Sequence, residues 1–333
     1  MKIVVLAALM VLIVAGIWIV MIRMPGENPH GELPAPSPSE LLLRDSLGQH
    51  VNKLAGEIGE RNVAHYDALR NAENYIDGSL VKAGYQVRRQ EFEVVPDAGA
   101  ARACANLEVE IPGAGRPGEI VVVAAHYDSA PGTAGANDNA SGTAALLERA
   151  RAWAGKGGMR TLRFVFFTNE EPPYFKSPFM GSLVYAQRSR ARDENIVAML
   201  SLETIGYYSD APGSQPYPFP IGLFYPTTGN FLGFVGNVTS RPLVHQAIQA
   251  FRASAKLPSS GVAAPAFIRG VDWSDHWSFW KQGYRGLMVT DTAVFRYPYY
   301  HTAQDTPDKI DYQRLARAVA GLDRVIERLV TDE

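Results

Sequence analysis

The sequence predicts an α/β fold in which one mainly parallel sheet is covered by helices on both faces, with an antiparallel pair of strands at its edge. Three observations carry that expectation. Short apolar runs at 120–125, 162–167, 196–202 and 287–290 show almost no polar alternation, as strands buried on both faces do. Segments with apolar residues at helical spacing lie between them, which is the order of a parallel sheet with helical crossovers. Carboxylates and histidines stand at or just beyond the ends of these runs, where open α/β sheets collect their ligands.

Taken in order, residues 3–22 carry no charge and match the roughly 20 residues that a helix needs to cross a bilayer. Lys2 precedes the run, Arg23 follows it, and the small-residue cleavage site of a signal peptide is missing. The expectation is a transmembrane signal-anchor over 1–24. The protein would be single-pass, would meet the lipid bilayer through this helix, and would hold its catalytic domain outside the cytoplasm. Residues 25–39 are rich in Pro and Gly and read as a tether, which leaves 40–333 as one folded domain.

Within that domain, helices are expected over 40–58 and 66–83, with Gly84 closing the second as a residue just past a helix end. Residues 85–94 alternate as a half-exposed strand, and 106–111 supply its partner. Strands at 120–125, 162–167, 196–202 and 287–290 then interleave with helices at 142–154, 180–190 and 242–254, and a helix over 311–330 ends the chain.

Composition excludes several classes. The 333 residues are 47% apolar with net charge −2, and 32 basic against 34 acidic residues show no basic stripe interleaved with aromatics, so no nucleic-acid partner is expected. Cys104 is the single cysteine, which rules out an intrachain disulfide. A domain of roughly 290 residues can instead rely on a core that buries about 75% of its unfolded surface. Gly113-Ala114-Gly115-Arg116-Pro117-Gly118 matches the dinucleotide fingerprint, but it leads into a strand rather than a helix, so a hairpin turn is expected there. No Gly-x-Ser-x-Gly elbow occurs and Cys104 has no neighbouring histidine, which argues against a serine or cysteine nucleophile.

What remains is a set of metal-binding residue types. His126 and Asp128 are two apart, so on a strand they share a side, and the carboxylate can meet the second imidazole nitrogen. Asp138 lies in Gly135-Ala136-Asn137-Asp138-Asn139-Ala140-Ser141-Gly142, a loop entering a helix, where an isolated aspartate would also suit a cap. Glu170 and Glu171 follow the apolar Phe164-Val165-Phe166-Phe167, and adjacent side chains diverge, so one can ligate while the other faces a reacting water. Glu203 ends another buried strand, where an unpaired carboxylate would be expensive. His301 sits in Tyr297-Pro298-Tyr299-Tyr300-His301. Three acids and a bridging hydroxide balance two divalent ions, and oxygen and nitrogen ligands without sulfur suit catalytic zinc.

Together, His126-x-Asp128, the segment 135–142, Asn169-Glu170-Glu171 and the run from His301 to Asp308 resemble the M28 family of zinc aminopeptidases over roughly 43–329. The resemblance implies a phosphorylase/hydrolase-like domain with two zinc ions per chain and peptide substrates. Asp138 would bridge the ions, His126 and Glu203 would complete one site, and Glu171 and His301 the other. Glu170 would be the general base, Asp128 the partner of His126, and a cis peptide would follow Asp138. Three positions depart from the family pattern: Glu203 replaces a common aspartate, 172–179 is proline-rich and aromatic, and Val271 stands where some members carry a tyrosine that steadies the oxyanion. Phe175, Phe179, Phe295, Tyr297 and Tyr299 lie beside the ligand segments and suggest a preference for apolar amino-terminal residues. Glutaminyl cyclases, which use one zinc, share much of this ligand set, and a silent membrane-tethered binding module is the third alternative.

Overall fold

The computed structural model of the chain describes residues 16, 18–29, 31–95, 99–217, 219 and 221–331. Its strands are β1 (Arg88–Val94), β2 (Arg102–Ile111), β3 (Arg116–His126), β4 (Arg160–Phe167), β5 (Asn195–Glu203), β6 (Leu232–Gly236), β7 (Ser259–Ala263) and β8 (Gly286–Thr290). They form one sheet in the order β1-β2-β4-β3-β5-β8-β6-β7. The helices are α1 (Pro38–Val51), α2 (Tyr66–Lys82), α3 (Gly142–Trp153), α4 (Gly181–Ala191), α5 (Arg241–Arg252), α6 (His276–Lys281), α7 (Ala293–Arg296) and α8 (Tyr312–Thr331).

The centre of the sheet is parallel: β4, β3, β5 and β8 run in one direction. Strand β3 shows why its sequence lacks alternation. Val121, Val123 and Ala125 join the larger core beneath α1, α2, α3, α5 and α8, while Ile120, Val122 and Ala124 join a second core with Tyr185 of α4 and Phe279 of α6. Both faces of the strand are therefore dry.

Local signals set the helix ends. Ser37 caps α1 in a reciprocal box, accepting from the Glu40 amide at 3.2 Å while its own amide donates to Glu40 Oε2 at 2.6 Å. Gly84, at φ +93°, turns the chain out of α2.

Two features differ from expectation. The glycine-rich segment 113–118 is not a hairpin turn, because β4 lies between β2 and β3 in the sheet. It crosses the start of β4, with the amides of Ala114 and Arg116 donating to the carbonyls of Gly158 and Met159. A Cβ on Gly113 would lie 2.5 Å from the Arg160 backbone, so glycine serves close approach there. In addition, β6 pairs antiparallel with β8 and β7 parallel with β6, so the far edge of the sheet is reversed. Strands of sequence Leu-Gly-Phe-Val-Gly and Ser-Ser-Gly-Val-Ala carry too little apolar signal to be read in advance.

The signal-anchor expected over 1–24 falls mainly on residues outside those described. Among the described residues, no helix is long and apolar enough to cross a membrane. Part of the segment expected as a free tether is hydrogen-bonded to the domain. Arg252 donates to the Pro25 and Gly26 carbonyls at 3.0 and 3.1 Å, Asn28 Oδ1 accepts from the Ser259 amide at 2.8 Å, and Arg317 donates to Pro34 O.

Candidate active site

The carboxyl ends of β3, β4 and β5 deliver the site. His126 is the last residue of β3, Glu170 and Glu171 follow β4 by three and four positions, and Glu203 closes β5. Asp138 comes from the loop before α3, and His301 from the loop after α7. The backbone is left-handed beside or at three of these residues: Asn169 has φ +59°, Thr204 +48° and His301 itself +54°. Such conformations in non-glycine residues persist where surrounding contacts fix them, and they gather at functional sites.

The geometry centres on Asp138. Its Oδ1 lies 3.3 Å from His126 Nε2, and its Oδ2 lies 3.1 Å from His301 Nε2. Each imidazole nitrogen also meets a glutamate: His126 Nε2 is 3.3 Å from Glu203 Oε2, and His301 Nε2 is 3.1 Å from Glu171 Oε2. The five expected ligands thus fall into two groups that share only Asp138. Glu170 Oε2 stands 3.9 Å from His126 Nε2, on the same cluster.

A frame of hydrogen bonds holds Asp138 in place. Asp305 accepts the amides of Asn137 and Asp138 at 2.8 and 3.1 Å, and the Tyr297 hydroxyl at 2.8 Å. Asn137 donates to Asp291 Oδ2 and accepts from the Gly206 amide, both at 2.9 Å, while Asn139 donates to Leu202 O at 2.8 Å. The Asp138–Asn139 peptide is cis. Ser274 Oγ donates to Glu203 Oε2 at 2.7 Å and orients that carboxylate.

Asp128 meets His126 and does more besides. Its Oδ1 is 3.4 Å from His126 Nδ1, a contact that is not aligned as a hydrogen bond. The carboxylate also accepts the backbone amides of Glu170 and Glu171, each at 3.2 Å. Asp128 therefore positions the two glutamates as well as facing the imidazole.

Arg61 went unnoticed in the sequence because a lone arginine in a loop carries no motif. It is fully buried, and it donates to the carbonyls of Tyr127 at 2.7 Å, Gly59 at 3.2 Å, Ala134 at 2.5 Å and Gly135 at 2.9 Å. One guanidinium thus joins the Asp128 loop to the Asp138 loop.

Charge is concentrated here. Burial opposes the imidazolium of His126, yet Glu203, Asp128, Asp138 and Glu170 hold its pKa well above the ordinary histidine value. His301 is likewise raised to about 10, against burial, by Asp138 and Glu171. Burial resists ionisation of Asp138, but the two imidazoles bring it below the usual aspartate range. Burial, joined by neighbouring anions, pushes Glu171 and Glu203 up to about 7 and Glu170 well above its ordinary value. Asp275 beside them is raised to about 7 by burial and has no hydrogen-bond partner on either oxygen.

This arrangement fits cations. His126, Asp138 and Glu171 each bring a donor atom within 4.8 Å of the others. Asp138 Oδ1 and Glu171 Oε1 are buried without an aligned hydrogen-bond donor. Buried carboxylates so placed are stable when a metal meets them.

A pocket opens beside Glu203. Among its lining residues are Tyr217, Phe231, Val271, Met288, Phe295 and Tyr300. Of the five aromatics that lie beside the ligand segments in sequence, Phe295 lines it. Phe175 lies against Lys176, Phe179 against Tyr174, and Tyr297 packs on Tyr207 and Tyr299. Tyr300 also lines the pocket, and its ring stacks on the His301 imidazole at 3.9 Å and 16°.

The model of Peptidase family M28 matches residues 106–325. The chain belongs to this family. The chain is 35% identical over 296 residues to the uncharacterized protein YfbL of Escherichia coli (strain K12), covering 86% of this chain and 88% of the relative. Among solved structures, a zinc aminopeptidase from Bacillus subtilis superposes with a TM-score of 0.67 at 16% identity, over 91% of this chain and 97% of that one. Fimbriiglobus ruber glutaminyl cyclase superposes with a TM-score of 0.62 at 18% identity, over 92% and 99%. At these identities the structural likenesses concern the shared fold.

Proposed function

We propose that this M28 protein is a zinc-dependent aminopeptidase that works with two ions. The supporting observation is the division of the ligands about Asp138, with one carboxylate oxygen facing His126 and Glu203 and the other facing His301 and Glu171. Two three-membered sets drawn from five residues need a shared carboxylate, whereas one ion would leave either Glu203 or Glu171 without a cation in a buried site. When bound, zinc supplies Lewis acidity and lowers the pKa of water from 15.7 to about 7.

The side chains supply the rest. Glu170 takes the proton of the attacking water and returns it to the leaving amine, a task suited to a carboxylate whose pKa burial raises. Asp128 fixes Glu170 through its backbone amide. Val271, buried and apolar, offers no hydroxyl to the developing oxyanion, and we assign that donor role to Tyr300, which stacks on His301 and lines the pocket with Glu203. The pocket lined by Phe231, Met288 and Phe295 would receive the first side chain of the peptide, which favours apolar residues. One methylene in such a pocket is worth about 1–3 kcal/mol, so selectivity is broad.

We also propose that residues 1–24 anchor the protein in a membrane with the domain outside the cytoplasm, on the strength of the uncharged run 3–22.

The test is Glu170→Gln. Turnover of aminoacyl substrates should fall by about 10²–10⁴-fold, with two zinc ions retained by elemental analysis. Loss of zinc from this variant would refute the assignment of Glu170 as base. One zinc in the native protein, with pyroglutamate as its product, would establish the cyclase reading instead.

A further inference from the structure

The exposed apolar side chains are not scattered evenly. Ten large ones stand exposed among the described residues, and Trp18, Val20, Phe219, Leu223, Val238 and Phe267 all belong to segments gathered around β7. The turn Trp18–Ile22 packs on β7, and so does the turn Val238–Ser240. The loop bearing Phe219 and Leu223 is fastened to the same strand by Tyr225, whose hydroxyl donates to Gly261 O at 2.7 Å. Phe267 lies four residues beyond the end of β7, just after Ala264 donates to Gly236 O. Phe219 and Phe267 are each 88% exposed, a state that an aromatic ring in water leaves readily when an apolar phase is offered.

The amino-terminal chain leads to this same flank. Val20 O accepts from Arg241 Nε at 2.5 Å, Pro25 and Gly26 accept from Arg252, and Asn28 accepts from Ser259. Met24 lies against Gly261, where an added Cβ would come within 2.9 Å of its Cγ. The uncharged run 3–22 therefore ends directly on the β7 edge, with its last residues hydrogen-bonded to the domain and no slack between them. Exposed Arg23, Lys256 and Arg269 border the flank, against two exposed acids, Glu27 and Glu32, on the amino-terminal stretch.

We infer that the β7 flank, with Phe219, Leu223 and Phe267 at its surface, lies on the lipid bilayer. The inference rests on the proposed membrane anchor and goes further, because an anchor on a loose tether would leave the domain free to turn. Here the end of the spanning run fixes which side faces the lipid. Aromatic side chains favour the headgroup zone, and basic residues favour an anionic surface. A second copy of the chain could also cover an apolar flank, but it would not account for the uncharged run arriving there.

The test uses the full chain reconstituted in vesicles of phosphatidylethanolamine and phosphatidylglycerol. Single cysteines at Phe219→Cys, Phe267→Cys and, as reference, Leu42→Cys on α1 are labelled with an environment-sensitive fluorophore. Leu42 is 73% exposed and sits away from the flank, and native Cys104 is buried and escapes labelling. Quenching by lipids spin-labelled on the acyl chain should be at least about twofold greater at positions 219 and 267 than at 42. Equal quenching at all three positions, in protein that sediments with the vesicles, overturns the docking while the anchor stands. Protein that fails to sediment with the vesicles overturns both. Lipid-independent, concentration-dependent protection at 219 and 267 also overturns it and makes the flank a contact between copies.

Discussion

Replacing Arg61 with methionine tests whether one buried cation organises the site loops. Methionine keeps an unbranched stem of similar girth and removes every donor. Four carbonyls, those of Gly59, Tyr127, Ala134 and Gly135, lose this donor, and of them Gly135 O keeps the Ala140 amide at 3.1 Å. A buried acceptor left unsatisfied costs about 1–3 kcal/mol, so at the middle of that range the other three together lose about 6 kcal/mol. An opposing term exists. Burial lowers the Arg61 pKa from 12.5 to about 10, even though Asp128, Asp305, Asp138 and Glu171 hold it up. That depression corresponds to about 3 kcal/mol, which a neutral side chain recovers. The difference is about 3 kcal/mol, at the lower end of the 3–5 kcal/mol lost when one partner of a buried charged contact is removed.

The measurement is urea unfolding of the metal-free protein, because bound zinc would add its own linkage to the apparent stability. Arg61→Lys keeps the charge but can satisfy fewer of the four carbonyls, so its midpoint should fall between those of the native and methionine proteins. A methionine variant within about 1 kcal/mol of the native protein would refute the reasoning, since ordinary surface changes already reach half that size.

His301→Ala and Asp138→Ala should each lose zinc by elemental analysis, and two ions retained in either would sink the shared-carboxylate arrangement. Tyr300→Phe should lower kcat by about 10²–10³-fold with zinc content unchanged, as expected for loss of one oxyanion donor; unchanged kcat would exclude the assignment. The metal-free domain should lose stability as pH rises between about 4.5 and 10. Glu171 and Glu203 are raised to about 7 and His301 to about 10, so the folded state holds more protons than the unfolded state across that window. Thermal melts in chelator from pH 5 to 9 measure this, and a midpoint that climbs with pH would contradict it. Zinc added at pH 7 should release protons, detectable by calorimetry in buffers of different ionisation enthalpy.

The sequence made the ligand set legible because each member sits at a strand end or in a loop with strong local character. His126, Glu170, Glu171 and Glu203 follow runs whose apolarity announces a buried strand, and the glycine and asparagine around Asp138 mark a tight loop. What was not legible depends on contacts between distant segments. Arg61 acts on residues 66 to 74 positions away, Asp305 on residues 167 and 168 positions away, and neither has a local pattern. The reversed strands β6 and β7 are short and contain glycine, so β6 takes its direction from pairing with β8, and β7 from pairing with β6. Phe175 and Tyr297 were near the ligands in sequence but turn into other contacts, because proximity along the chain does not fix the direction of a side chain.

One carboxylate, that of Asp128, accepts the amides of both Glu170 and Glu171. It acts as a jig for two tools. The residue that moves the proton and the residue that holds the metal are indexed to the same pair of oxygen atoms, so a small displacement of the β3 end carries both together and leaves their spacing unchanged. An asparagine at this position would present one oxygen and one NH2 group to the two amides, and the NH2 group would repel one of them. The register between base and ligand would then slip by the rotation of a single peptide, although every residue that touches substrate or metal would still be present.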